Sequence, residues 1–390
     1  MSEAKQPLVL HVVYRFDTGG LENGVVNLIN RMPASAYRHA VLSLTDVTGF
    51  RSRVTRPDVE FHALHKAPGH GIWLYPRLYR LFRQLKPAVV HTRNLAALEC
   101  TVPAWAAGVP VRIHGEHGRD VDDLDGSNVR YQRVRRLYSP FVHRYVALSQ
   151  DLQGYLTDKV GIRGERIAQI YNGVDTARFA APSEAVRPEA CPFDPARHLV
   201  IGTVGRMQAV KDQLSLARAF AGLLEAQPAL RERLRLVIVG DGPMRATVKD
   251  WLQAQGLADL AWLPGDRSDV AALMQAMDIF VLPSLAEGIS NTILEAMAAG
   301  LPVLASRVGG NAELLVPEQT GLLFEAGDVA GLQAALARVV AEPALREGMG
   351  QLGRERALQR FSLDSMVTNY QTLYDNELNK RYPAAQLLKS

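Results

Sequence analysis

The sequence predicts an α/β chain of two doubly wound domains, each built on a parallel sheet. Three observations carry this expectation. Short apolar runs of strand type alternate with longer runs whose apolar residues recur at helical spacing, the pattern of a parallel sheet with helices on both faces. The alternating series occurs twice along the 390 residues. Between the two series, residues 181–198 carry Pro182, Pro188, Pro192 and Pro195 with little apolar content, which reads as a linker.

In the first series, Val9–Tyr14 is a strand, and Gly19-Gly20 turns the chain into a helix over Glu22–Met32 with Val25, Val26, Leu28, Ile29 and Met32 inward. Ala40–Leu44 and Glu60–Leu64 are strands. Tyr75–Leu85 is a helix, Val89-Val90-His91 a strand, and Leu95–Ala107 a helix. Val111–His114 and Tyr145–Leu148 are strands, and Ile167–Tyr171 runs into the turn Asn172-Gly173-Val174-Asp175 near the domain junction. This first domain spans 1–180. The second, 199–361, begins with strand Leu199–Val204 and helix Asp212–Ala226. Strand Leu234–Val239 ends in Gly240-Asp241-Gly242-Pro243, and helix Met244–Gln255, strand Leu260–Leu263 and helix Val270–Ala276 follow. Ile279–Leu282 and Pro302–Ala305 are strands, with a helix starting near Asn291. Helices over about 329–341, 343–358 and 363–379 close the chain. The two halves resemble each other only in class, and two Rossmann-like domains facing a central cleft are expected.

Composition excludes several classes. The apolar fraction of 47% is ordinary for a globular protein. Cys100 and Cys191 stand far apart, so no disulfide framework is implied and a reducing cytosol fits. The apolar run Leu8–Tyr14 is too short for a signal-peptide core or a membrane span, and no other stretch reaches spanning length. No Gly-x-Gly-x-x-Gly follows any strand, which argues against an NAD enzyme.

Net charge is +4 but uneven: residues 1–180 hold 24 Lys/Arg against 16 Asp/Glu, and the remainder 20 against 24. Part of the excess lies in Arg77, Arg80, Arg83 and Lys86. Another part, Arg130, Arg133, Arg135, Arg136 and Arg144, is interleaved with Tyr131, Val134, Leu137, Tyr138, Phe141 and Val142 as in a basic amphipathic helix. Such a helix is either solvated on one face or set against anionic lipid. Nucleic acid is not expected as a partner, because the aromatics read as buried and no nucleic-acid module is present.

The strongest chemical signal is Glu287-Gly288-Ile289-Ser290-Asn291-Thr292-Ile293-Leu294-Glu295, after the apolar strand Ile279–Leu282. It sets two acids and a run of backbone N–H groups at the carboxyl end of a strand, where open parallel sheets bind ligands. A helix N-terminus there offers free donors and partial positive charge to an anion. Thr292-x-x-Glu295 also reads as a capping box, a purely local helix start. Arg206 leaves the first strand of the second domain, and Lys211 follows; together they form either a diphosphate clamp, a planar fork beside a point charge, or two surface cations. Gly19-Gly20 opens a helix N-terminus to close approach, or is an ordinary tight turn. His114-Gly115-Glu116-His117 lacks helical metal-ligand spacing and reads as cleft-lining polar groups, His114 best placed. Asp120-x-Asp122 and Asp123-x-Asp125 lie in an acidic loop and read as loop or acceptor-side residues. No metal site is expected.

Gly19-Gly20-Leu-Glu22, His114, Asn172-Gly-Val-Asp175, Gly205-Arg206 with Lys211, Gly240-Asp-Gly-Pro243 and Glu287-x7-Glu295 occur in an order that resembles the retaining glycosyltransferases of family four, with the GT-B fold. The likeness runs over nearly the whole chain. Its flanks, including His91-Thr-Arg-Asn-Leu-Ala-Ala97 and Asp123-Leu-Asp-Gly-Ser-Asn128, are similar to bacterial sugar transferases of exopolysaccharide and exosortase systems.

The resemblance implies a nucleotide-diphosphate sugar as donor, a UDP-sugar favoured, held mainly by the second domain. Arg206 and Lys211 would hold the diphosphate and Glu295 the ribose hydroxyls. Glu287 with the N–H groups of Gly288, Ile289 and Ser290, beside Asn291, would hold the sugar. Gly19, Gly20 and Asn172 would sit on the donor side, and His114 at the transferring centre. Ser290-Asn291-Thr292 departs from the family's more apolar, glycine-bearing run. Retention without metal or other cofactor, and an acceptor that is lipid-linked or an oligosaccharide, are also implied. So is a cytoplasmic enzyme in peripheral contact with the inner membrane face. In this fold the last helix crosses back, so a C-terminal segment of about 362–390 would pack on the first domain. A nucleotide-sugar epimerase, or a non-catalytic sugar-nucleotide-binding subunit of a polysaccharide assembly, are the alternatives.

Overall fold

The computed structural model describes residues 6–381 apart from 70, 119–122, 124, 181–187, 189–190 and 195. Most of the expected linker, the Asp120-x-Asp122 pair and the end of the C-terminal segment therefore lie outside the described residues. The chain divides into two compact units, 1–173 with 363–390, and 174–362.

The first unit alternates β1 (Leu8–Val13), α1 (Gly20–Arg31), β2 (Arg38–Ser43), β3 (Glu60–Ala63), α2 (Tyr75–Leu85), β4 (Val89–Arg93), α3 (Asn94–Leu98), α4 (Thr101–Ala106), β5 (Val111–Glu116), α5 (Val129–Tyr138), β6 (Arg144–Ala147), α6 (Gln150–Gly154) and β7 (Ile167–Gln169). Its seven strands are all parallel, in the order β3-β2-β1-β4-β5-β6-β7. The order reverses between β1 and β4. The strands are near-continuously buried, as a sheet covered on both faces requires.

The expected helix over Leu95–Ala107 is two helices. Pro103 has no N–H for the carbonyl of Glu99, and its ring collides with the turn that would carry it. The chain breaks at Glu99-Cys100 and restarts at Thr101.

The second unit contains β8 (Leu199–Val204), α7 (Gln213–Ala226), β9 (Leu234–Val239), α8 (Met244–Ala254), β10 (Ala261–Gly265), α9 (Val270–Gln275), β11 (Ile279–Leu282), α10 (Asn291–Ala298), β12 (Val303–Ser306), α11 (Asn311–Leu314), β13 (Gly321–Phe324), α12 (Val329–Ala341) and α13 (Pro343–Arg360). Its six strands are parallel, in the order β10-β9-β8-β11-β12-β13, with the reversal between β8 and β11. One core of Ile201, Phe220, Leu236, Val281, Leu336 and similar side chains fills the space between sheet and helices. The four-residue edge strand β13 was not among the strands expected from the sequence.

The last helix, α14 (Leu363–Arg381), belongs to the first unit. It lies on the sheet face lined by Val9, Val89, Val111 and Ile113, burying Met366, Tyr370, Leu373 and Tyr374. Arg31 of α1 pairs with Asp364 at 3.3 Å, and the Tyr37 hydroxyl donates to Asp375 at 2.5 Å. The Tyr374 hydroxyl meets Nδ1 of the buried His91 at 2.9 Å. Among the described residues no helix is long and apolar enough to cross a membrane.

Candidate active site

The carboxyl ends of β8 and β11 flank the point where strand order reverses, and the loops leaving them diverge to open a crevice in sheets of this topology. β8 exits through Gly205-Arg206-Met207. Beside it, β9 exits through Gly240-Asp241-Gly242-Pro243, and the two loops pack backbone to backbone: Met207 N–H donates to the Asp241 carbonyl and Met244 N–H to that of Met207. Gly240 has φ +133°, and a Cβ there would stand 2.0 Å from the Gly205 carbonyl oxygen. Only glycine fits, for conformation and space alike. The Arg206 side chain is exposed, with no hydrogen bond or ion pair among the described residues.

Lys211 ends a single turn, Ala209–Lys211, and the next residue, Asp212, is left-handed at φ +45°. The helix expected from Asp212 therefore starts one residue later. Strain of this kind persists where surrounding contacts enforce it. One such contact is the Leu285 N–H donating to the Val210 carbonyl at 2.8 Å, which ties the lysine's turn to the loop after β11. Lys211 Nζ donates to Glu287 Oε1 at 2.5 Å, and the Ser284 hydroxyl donates to the same oxygen at 2.7 Å. Ser284 is fully buried, and its carbonyl accepts from the buried Ser306 hydroxyl at 2.5 Å. Glu287 is thus oriented from two sides.

The loop goes on through Gly288, Ile289 and Ser290 into α10. Their three N–H groups donate to nothing among the described residues. The cap of α10 is Ser290, whose hydroxyl accepts from Ile293 N–H at 3.4 Å. This replaces the capping box read from Thr292-x-x-Glu295: Thr292 lies inside the helix, and the third helical residue is Ile293. Glu295 has no capping duty. Its carboxylate has no partner among the described residues, and burial raises its pKa to about 7, with the Arg178 charge opposing. An unpaired, desolvated carboxylate is costly, and no structural contact among the described residues offsets that cost. Asn291 opens the helix half-buried.

Gly309 and Gly310, which sequence reasoning passed over, cradle this loop. Gly309 is left-handed at φ +47°, and a Cβ on it would stand 1.8 Å from the Glu287 carbonyl oxygen. Gly310 N–H donates to the Gly288 carbonyl at 2.8 Å. The signal was a second strand–Gly-Gly–helix passage like the one at Gly19-Gly20. Ser284 carried no signal, because its role depends on contact with Glu287.

In the first unit, Gly19 caps α1 from an extended conformation. A Cβ there would meet Glu22 Oε2 at 2.2 Å, so the missing side chain makes room for a carboxylate over the helix N-terminus. His114 is fully buried on β5. Thr92 Oγ1 lies 2.8 Å from its Nδ1 and Glu116 Oε1 3.2 Å from its Nε2. Both ring nitrogens are engaged, and no ring atom is free to meet a ligand. Burial favours a neutral Glu116, but the Arg135 guanidinium at 2.7 Å and the His114 hydrogen bond outweigh it and hold the carboxyl at about 2. Asp123 is buried and accepts from Asn128 N–H at 2.8 Å, which sets the start of α5. Asn172 lies half-buried after β7, at the end of the unit's first segment. Arg206, Lys211, Glu287, Gly288, Ile289, Ser290, Asn291 and Glu295 thus share the second unit, and Gly19, Gly20, His114 and Asn172 the first.

Comparison with known proteins places each half. Residues 18–178 match the model of "Glycosyltransferase Family 4", and 194–356 that of "Glycosyl transferases group 1". The Escherichia coli UDP-Gal:alpha-D-GlcNAc-diphosphoundecaprenol alpha-1,3-galactosyltransferase is 29% identical over 309 residues, 78% of this chain and 79% of that one. The Rhizobium meliloti lipopolysaccharide core biosynthesis glycosyltransferase LpsD is 25% identical over 374 residues, 96% of this chain and 99% of its own. In fold, the Anabaena protein HepE, solved in complex with UDP, superposes with a TM-score of 0.79 at 20% identity, covering 95% of this chain and 100% of its own. Two doubly wound parallel sheets, a strand-end site in the second, and family matches over both halves lead to one assignment: the chain belongs to glycosyltransferase family 4 and is a glycosyltransferase of the GT-B fold.

Proposed function

We propose that the protein transfers a sugar from a nucleotide-diphosphate donor to a lipid-linked or oligosaccharide acceptor in bacterial exopolysaccharide synthesis, with retention of configuration and without a metal ion. One observation carries the donor half: Arg206, the Lys211–Glu287 pair, three unpaired N–H groups at 288–290 and the unpartnered Glu295 all belong to the loops and helix at one sheet's reversal point. A diphosphate, a hexose and a ribose offer the complementary groups.

Arg206 and Lys211 take the diphosphate, Lys211 exchanging Glu287 for phosphate oxygens. Glu287 then accepts from sugar hydroxyls, with Gly288, Ile289, Ser290 and Asn291 at the positive end of α10. Glu295 accepts from the ribose hydroxyls. Each charge-assisted bond contributes about 1.5–3 kcal/mol. Gly19 and Gly20 let the donor approach α1, and Asn172 adds a polar contact. His114, with both nitrogens occupied, acts as a positioning residue at the end of β5.

In the transfer, the bond from sugar C1 to the β-phosphate oxygen breaks and the acceptor hydroxyl oxygen bonds to C1 from the same face. The acceptor proton passes to the leaving phosphate. Arg206 and Lys211 stabilise the charge that grows on that phosphate and lower the barrier. UDP is favoured because HepE was solved with it and the Escherichia coli relative is named for UDP-Gal. That relative's diphosphoundecaprenol-linked substrate supports a lipid-linked acceptor, reached by peripheral contact of the basic first unit with the inner membrane face.

The test is binding and hydrolysis across UDP-, GDP- and ADP-sugars, with Glu295→Ala and Arg206→Ala alongside and EDTA in one arm. Saturable binding of one donor, abolished by both substitutions and spared by EDTA, is expected. Binding indifferent to both substitutions, or no binding to any donor, removes the assignment of this site.

A further inference from the structure

Six of the large apolar side chains left exposed belong to one neighbourhood of the first unit. They are Ile72 and Trp73, 55% and 89% exposed, with Tyr79, Trp105, Val129 and Leu137. Ile72 and Trp73 project from the single turn Ile72–Leu74 that leads into α2, Tyr79 lies on α2, Trp105 on α4, and Val129 and Leu137 on α5. These elements adjoin. α2 packs on α4, the Tyr75 and Tyr138 hydroxyls are 3.5 Å apart, and the Trp105 ring meets Phe141 edge-on at 5.3 Å.

The segments that carry most of these side chains hold cations and no acid: no Asp or Glu occurs from Ile72 to Leu98 or from Gly126 to Gln150. Arg80, Arg83, Arg130 and Arg133 are exposed, and their side chains make no hydrogen bond or ion pair among the described residues. Of the acids that flank these segments, Glu99 is half-buried and accepts from Gly71 N–H at 3.2 Å, and Asp125, in the loop before α5, accepts from Ser127 N–H at 3.1 Å. Surface cations in folded proteins ordinarily alternate with acids; a surface of unpaired arginines around protruding aromatics leaves its counter-charge to a partner.

We propose that this face of α2, α4, α5 and the Ile72–Leu74 turn docks on an anionic lipid bilayer, with Trp73 and Ile72 entering the headgroup boundary and the arginines facing the phosphates. The proposal rests on the lipid-linked acceptor reading and gives it a contact surface. The charge complementarity selects the occupant. An amphipathic tryptophan beside guanidinium groups suits an interface that is apolar below and anionic above.

The experiment is flotation of the full chain with vesicles of phosphatidylcholine alone and of phosphatidylcholine mixed with phosphatidylglycerol, with donor binding measured on each variant. The wild type is expected on the anionic vesicles only, and less so at high salt. Arg80→Glu with Arg83→Glu should weaken binding at least about 25-fold, taking roughly a factor of 5 per surface cation lost. Trp73→Ser should weaken it at unchanged charge, and quenching of tryptophan fluorescence by bromine-labelled lipid should fall with it. The control is Arg218→Glu with Lys249→Glu, two exposed cations of the second unit. No binding to anionic vesicles, equal binding to phosphatidylcholine, or equal loss in the control overturns the proposal. Loss of vesicle binding with donor binding intact leaves the donor-site reading standing; vesicle binding without donor binding removes the donor-site reading and keeps the surface.

Discussion

Glu295→Gln separates the two consequences of burying an unpartnered carboxyl. The wild-type group is held near 7 against an ordinary 4.5, so the folded protein keeps this proton more tightly than the unfolded chain does. Below about pH 4.5 both states hold the proton and the group contributes no difference. As pH rises from 4.5 to 7 the unfolded chain loses its proton first, folded stability falls, and the loss levels off above 7. The full gap corresponds to about 3 kcal/mol, an upper bound because the side chain is only partly buried. Glutamine removes the ionisation and keeps the shape. The variant should match the wild type in acid and melt up to about 6–12 °C higher at pH 8, taking 2–4 °C per kcal/mol. Donor affinity should move the other way, down by about 1.5–3 kcal/mol as charge-assisted bonds to the ribose become neutral ones. Thermal melts followed by circular dichroism from acid to alkaline pH, with donor titrations by calorimetry, read both. Parallel pH profiles for variant and wild type would refute the buried-charge reasoning. Unchanged donor affinity would refute the ribose role.

Ser284→Ala removes one of the two groups that orient Glu287, and kcat/KM for donor should fall at least about 10-fold with the melting temperature little changed; steady-state kinetics decide it. Gly309→Ala forces a left-handed residue and a Cβ into the Glu287 carbonyl, so donor binding should be lost and stability reduced by about 1–2 kcal/mol or more, measured by titration and urea unfolding. Arg135→Met leaves Glu116 buried without its cation and should cost about 3–5 kcal/mol near neutral pH. Because the orphaned carboxyl then takes up a proton in acid, that deficit should shrink as pH falls; a constant deficit across pH would contradict the pairing.

Much of this protein was legible from its residues alone. Strand runs such as Leu199–Val204, Leu234–Val239 and Ile279–Leu282 coincide with observed strands because a strand buried on both faces is near-continuously apolar. Arg206, Lys211, Glu287 and Glu295 were expected at strand ends, and they lie on the loops and helix that follow β8 and β11. Other features required the tertiary structure. Whether Thr292-x-x-Glu295 was a capping box turned on where α10 begins, and the Ser290 hydroxyl decided that by reaching Ile293. Gly309 and Gly310 lie beside Glu287 only because β12 pairs with β11, a contact across some twenty residues that local pattern does not encode, and the Ser284 hydroxyl reaches Glu287 only through the fold of the loop they share. His114 read as a cleft-lining group and is fully buried, with Thr92 on β4 and Glu116 at its two ring nitrogens. Sequence alone determined the alternation of elements and the residues offered at strand ends, because backbone periodicity and side-chain chemistry are local. Which of those residues are buried, paired or left without a partner was decided by packing, because desolvation and hydrogen bonding depend on neighbours that only the folded chain brings together.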